Sequence, residues 1–151
     1  MRKIDYEGKP HEVIAGASIF RTRKGQGGKS IREVLLVKGR NSQKWYFPGG
    51  KIREGEDIVE GLRREMKEEI GVEFSGEIRA RGDSVGYYHF AEKDFAIANF
   101  VLEGELSRAP KAQQEDNVEE VGWFADPFKL DLTFQTRAVL EEQMSPKAQN
   151  S

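Results

Sequence analysis

Residues 57–70 constrain the fold of this chain more than any other stretch. Ile58, Leu62, Met66 and Ile70 recur there at every fourth position. That spacing predicts an amphipathic helix, because residues four apart lie nearly above one another on a 3.6-residue turn. Asp57 stands where an N-cap is expected, and Gly71 where a C-cap glycine is expected. One flank of such a helix sits on a core. The other carries Glu65, Glu68 and Glu69, about a quarter turn away from the apolar stripe.

The surrounding chain alternates β-type and turn-type segments. Residues 11–20 read as a strand, and residues 21–29, with three glycines and four basic residues, as a flexible hairpin tip. Residues 31–39 read as the returning strand, and Pro48-Gly49-Gly50 marks a turn. Two β segments follow at 77–90 and 94–106, then a polar loop at 107–117 and a short strand at 118–124. A final helix is predicted over 133–144. This order of elements predicts one domain over residues 1–144, of α+β or α/β sandwich type, and residues 145–151 are expected to form a disordered tail.

The charges nearly cancel, with 24 basic and 26 acidic residues and a formal net charge of -2. No global field would draw the chain to nucleic acid or an anionic membrane. The absence of cysteine excludes disulfides, zinc–thiolate sites and thiol nucleophiles. No apolar run approaches the roughly 18 residues of a membrane span, and residues 1–13 lack a signal-peptide core. A cytoplasmic protein is expected, monomeric or homodimeric.

The acidic flank of the predicted helix has two readings. Arg63, Arg64 and Lys67 can offset its charge on a solvated face. Alternatively, a divalent cation could turn the mutual repulsion of carboxylates at these spacings into attraction. Gly61 falls on the same side, where a missing Cβ would let another group approach, at a cost of about 1 kcal/mol in helix propensity.

Read from Gly50, the pattern is G-x5-E-x7-R-E-M-K-E-E-I-G-V, through Glu56, Arg64, Glu65, Glu68, Glu69 and Gly71 to Val72. This resembles the Nudix hydrolase signature at every defined position. Residues 47–52, FPGGKI, resemble the segment that leads into this box in MutT-type nucleotide pyrophosphohydrolases. The resemblance covers residues 45–72, and elsewhere only the order of elements agrees.

The resemblance implies an α/β/α sandwich with a mixed β-sheet and a loop–helix–loop box. It also implies hydrolysis of a nucleoside diphosphate linked to another moiety. Glu65, Glu68 and Glu69 would hold Mg²⁺ or Mn²⁺, with the Gly50 carbonyl as a further ligand, while Glu56 and Arg64 would tie the loop to the helix. The general base would be a metal-holding glutamate of the box, such as Glu68, or an acid from the loop before the late strand. That loop offers Glu115, Glu119 and Glu120, of which Glu115 is preferred and Glu119 comes second. His11 and His89 lack a base-and-orienter partner and read as strand or loop residues.

The substrate is less defined. The FPGGKI segment favours a nucleoside triphosphate. Tyr87 and Tyr88 lie near the position of a tyrosine in dinucleoside-polyphosphate hydrolases, although paired aromatics in a β segment also suit cross-strand packing. The absence of proline from Val72 to Ala109 argues against an ADP-ribose hydrolase. Tyr46, Trp123 and Phe124 could stack on a base or be buried, and the basic tip at 21–29 could meet phosphates or be solvated. A non-catalytic module that senses a nucleotide is the alternative, although a pure binder has no need of a full metal set.

Overall fold

Val34-Leu35-Leu36-Val37 has no polar residue to turn outward, so a strand made from it needs cover on both faces. The computed structural model, which describes residues 2–113 and 116–144, provides that cover. Its elements are β1 (Lys3–Tyr6), β2 (Lys9–Lys24), β3 (Ser30–Gly39), β4 (Trp45–Tyr46), β5 (Gly49–Lys51), α1 (Ile58–Ile70), β6 (Phe74–Phe90), β7 (Lys93–Leu106), β8 (Val118–Phe124) and α2 (Phe134–Gln143). Leu35 and Val37 of β3 join Leu62, Met66 and Ile70 of α1 in one apolar cluster. Val34 and Leu36 join Leu140 of α2 in a second. The sheet therefore lies between two helices, as an α/β/α sandwich.

β2 is the axis of the sheet, whose strand order is β4-β3-β2-β7-β6, with β1 and β5 also on β2 and β8 on β3. β2 and β7 run parallel over Glu12–Ile19 of β2, whereas the other pairings are antiparallel, so the sheet is mixed. Val13, Ala15, Ala17 and Ile19 alternate onto the α1 side. Ser18 turns the other way and hydrogen-bonds the side chain of Gln143 in α2.

α1 forms where its apolar period places it. Asp57 caps it by accepting from the amides of Val59 and Glu60 at 3.1 and 3.3 Å. Gly71 ends it in the left-handed conformation, φ 69°, with its N–H donating to the Lys67 carbonyl. Among the described residues no helix is long and apolar enough to cross a membrane.

The first hairpin departs from expectation. Residues 21–24 continue β2 rather than forming a flexible tip, and only the segment around a 3-10 turn, Gln26–Gly28, connects it to β3. Cross-strand pairs extend the ladder. Arg21 and Arg23 both reach Glu33, at 2.9 and 3.2 Å, and the Arg32 guanidinium lies 3.9 Å from the Phe20 ring centroid. β1, β4 and β5 were not anticipated, because strands this short carry no readable period and exist through their pairing. The expected tail at 145–151 lies outside the described residues.

Candidate active site

Two glycines bring the loop before α1 against that helix. Gly49 has φ +148°, and a Cβ there would stand 1.9 Å from the Ala15 carbonyl oxygen, so only glycine lets β5 lie this close to β2. The approach aims the Gly49 N–H at Glu69 Oε1, 2.7 Å away. At Gly50, an added Cβ would stand 2.6 Å from the Glu65 carboxylate. The Gly50 backbone and the Glu65 carboxylate are therefore neighbours across the cleft.

A third glycine admits the brace. A Cβ on Gly61 would meet Glu56 Oε1 and Ile52 Cδ1, both at 2.7 Å, so the group that approaches the helix here is the Glu56 side chain. Arg64 grips Glu56 through Nε at 2.7 Å and Nη2 at 3.0 Å, and its Nη2 also donates to the Lys51 carbonyl. Arg64 Nη1 lies between Glu65 Oε1 (3.0 Å) and Glu68 Oε2 (3.1 Å). The Arg64 fork, followed by the Arg53 amide, holds the Glu56 carboxyl down to about 2.

The sign of that shift gives a pH test. A depressed carboxyl stabilises the fold above its ordinary 4.5, and the contribution is lost as pH falls toward about 2. Glu56→Gln should lower stability by about 2 kcal/mol at neutral pH. In denaturant titrations the gap to wild type should shrink from pH 4.5 downward and close near pH 2. A gap that stays constant across that window would separate the loss from the Arg64 pair.

Glu69 is buried at 5% exposure. Burial raises its carboxyl well above the usual range, the Gly49 N–H opposes that shift, and the charges of Asp116, Glu65 and Glu68 add to it. Burial likewise raises Glu65, against the pull of Arg64. Both line a cavity of about 560 Å³, which is walled by β2, the loop into α1, the ends of β6 and β7, residues 116–117 and the start of α2. Asp116 is the acid that sequence reading passed over. Its only signal was membership of the QQEDN loop, and its carboxylate is brought within electrostatic range of Glu65 and Glu69 by the fold.

Glu115 lies outside the described residues. Glu119 and Glu120 reach Lys38, at 3.8 and 3.5 Å, and do not line the cavity. Tyr46 does line it, and burial together with Glu69, Asp116 and Glu65 pushes its phenol up to about 12. Trp123 and Phe124 pack into the two apolar clusters instead. Tyr87 stacks on Tyr6 at 3.6 Å, with the His11 ring edge-on to both. The His89 ring meets Asp94. Arg21 and Arg23 are engaged by Glu33, away from the cleft.

The donor set suits a hard divalent cation in kind. Glu65 and Glu69 are oxygen donors whose charges burial and mutual repulsion disfavour, and Glu69 is offset by a backbone amide rather than a cationic side chain. Among the described residues no three such groups converge on one point. Glu68 is drawn aside by Arg64 and by Arg53, the latter at 3.7 Å.

The fold, with its carboxylate-bearing helix, recurs in known proteins. The NUDIX domain family model matches residues 11–127. The chain is 29% identical over 116 residues to mRNA-decapping enzyme subunit 2 of Saccharomyces cerevisiae, covering 74% of this chain and 10% of that protein. It is 29% identical over 139 residues to the uncharacterized Nudix hydrolase YfcD of Escherichia coli, covering 80% of this chain and 72% of that one. The crystal structure of a MutT NUDIX hydrolase from Burkholderia pseudomallei is similar at TM-score 0.69 and 26% identity, over 88% of this chain and 98% of that chain. The chain thus spans only a tenth of the length of the yeast relative. It belongs to the Nudix hydrolase family.

Proposed function

We propose that this chain hydrolyses a nucleotide phosphoanhydride with Mg²⁺ or Mn²⁺ as cofactor, its substrate a nucleoside triphosphate of MutT type or a dinucleoside polyphosphate. The observation that carries this reading is that Glu65, Glu69 and Asp116 line one cavity together with the Gly49-Gly50 backbone. Glu65, Glu68 and Glu69 would hold the ion, with the Gly50 carbonyl as a further ligand. When bound, the ion supplies neutralisation of phosphate charge and activation of water.

The chain's own residues have separate tasks. The Glu56–Arg64 fork ties the loop to α1, which keeps Gly50 against Glu65. Release of Glu68 from Arg64 and Arg53 would let its carboxylate turn toward the other two. Glu115, next to the cavity-lining Asp116, would take the proton of the attacking water, with Glu68 as the alternative base. Tyr87 stacks on Tyr6 rather than lining the cavity, so its spacing lends nothing to the dinucleoside polyphosphate, and a nucleoside triphosphate is the first substrate to test. We take residues 1–144 as one cytoplasmic domain, monomeric or homodimeric, acting on a small molecule.

The test is a panel of nucleoside and deoxynucleoside triphosphates, oxidised dGTP, ADP-ribose, NADH and dinucleoside polyphosphates, with products separated by chromatography. Turnover with Mg²⁺ or Mn²⁺ and none with a chelator is expected for at least one nucleotide. Binding without turnover of any compound would instead favour a nucleotide sensor.

A further inference from the structure

The cavity has two chemically different ends. One is acidic, at Glu65, Glu69 and Asp116; Lys51, the single cationic side chain among the described lining residues, is the cross-strand partner of Ile14. The other is apolar. In β7 the alternating residues Phe95, Ile97 and Asn99 share one sheet face, and the register sets Ile14 beside Ile97 and Gly16 beside Asn99. Further along β2 that same face is covered by α2, through Ser18 and Gln143. At Ile14 it opens into the cavity instead. Ile14, Phe95 and Ile97 pack into neither apolar cluster of the fold.

Phe90 stands at the rim of this apolar end. It is 71% exposed, yet lines the cavity. It is the last residue of β6, paired with Lys93, directly before the turn at Ala91 and Glu92. Those two residues have φ 52° and 65°, the paired left-handed conformation of a two-residue hairpin whose twist matches its strands. The ring is therefore presented on a tight β-ribbon rather than a long loop. An exposed phenylalanine at a cleft rim contributes nothing to the core, and a planar apolar ligand face is what it complements.

On the reading of this cavity as a nucleotide site, we infer that Phe90 is a specificity-determining residue, stacking on the nucleobase while the base enters the slot floored by Ile14, Phe95 and Ile97. The walls of the slot are apolar, with Lys51, the cross-strand partner of Ile14, at its edge, so the phosphates take the ion-holding end beside Glu65 and Glu69 and the nucleotide is oriented along the cavity. The Asn99 carboxamide, 5% exposed at the slot's inner end, faces the polar edge of the base. Gly16 leaves it room, since a Cβ there would stand 3.1 Å from Asn99 Oδ1.

The test separates the two ends by calorimetry with Mg²⁺ present. A purine or pyrimidine nucleoside monophosphate probes both ends, and inorganic pyrophosphate probes the acidic end alone. Phe90→Ala should weaken the monophosphate about tenfold and leave pyrophosphate unchanged, and Phe90→Trp should restore the monophosphate. In turnover assays the alanine change should raise KM about tenfold with kcat within about twofold. Unchanged monophosphate affinity in Phe90→Ala, equal weakening of both probes, or failure of tryptophan to restore binding would each overturn the assignment. If wild type binds the monophosphate through Phe90 but hydrolyses no nucleotide, the proposed reaction fails and the stacking role stands.

Discussion

Glu69→Gln should abolish most turnover while making the metal-free protein more stable. The buried carboxylate is disfavoured by desolvation and by Asp116, Glu65 and Glu68. Its folded-state carboxyl is raised above its ordinary 4.5. A raised acid stabilises the fold fully below that value, and the contribution is lost as pH rises through the folded-state value. The glutamine variant, which never ionises, should therefore match wild type below pH 4.5 and exceed it in melting temperature at neutral pH. Glutamine keeps an oxygen to accept from the Gly49 N–H, so the loop contact survives.

Activity should move the opposite way. If Glu69 holds the ion as proposed, loss of its charge should remove several kcal/mol of transition-state stabilisation, or about a thousandfold in kcat. Mg²⁺ should raise the melting temperature of wild type and leave that of the variant nearly unmoved. Full activity in Glu69→Gln, or an equal Mg²⁺ shift in both proteins, would remove Glu69 from the ion site.

The largest expected loss of stability is at Gly49. A Cβ there would sit 1.9 Å from the Ala15 carbonyl oxygen and 2.9 Å from Gly16 Cα, both backbone atoms of the central strand. The residue also has φ +148°, a conformation that side chains resist. Overpacking and strain together should cost Gly49→Ala about 4 kcal/mol or more. Moving β5 off β2 to relieve the clash would also pull the amide from Glu69 and disrupt the cleft. Gly55→Ala is the control: it too has positive φ, +80°, but a Cβ there meets nothing within 4 Å. It should cost only about 1 kcal/mol. Similar melting temperatures for the two variants would show that the Gly49 contact does not restrict β5.

The amino-acid sequence determined those features that depend on local period and spacing. The four-residue apolar stripe with its Asp57 and Gly71 caps defined α1 to within a residue. The Glu56–Arg64 spacing carried enough family likeness to anticipate a pair that the structure forms as a two-point fork. The order of the longer strands and of α2 followed from β-rich runs and turn residues. Three features were decided only by tertiary contact. Residues 21–24 became strand because Arg21 and Arg23 met Glu33 across the hairpin, beside the Arg32–Phe20 contact. Trp123 and Phe124 went into the cores while Phe90 went to the cleft, which no count of aromatics could separate. Asp116 entered the acidic cluster because the loop before β8 folds back onto the end of α1, where the Gln113 N–H donates to the Glu69 carbonyl. Period and capping are properties of neighbours along the chain, so sequence reveals them. Which side chains share a cavity depends on strand register and close backbone approach between segments far apart, and only the folded sheet sets those.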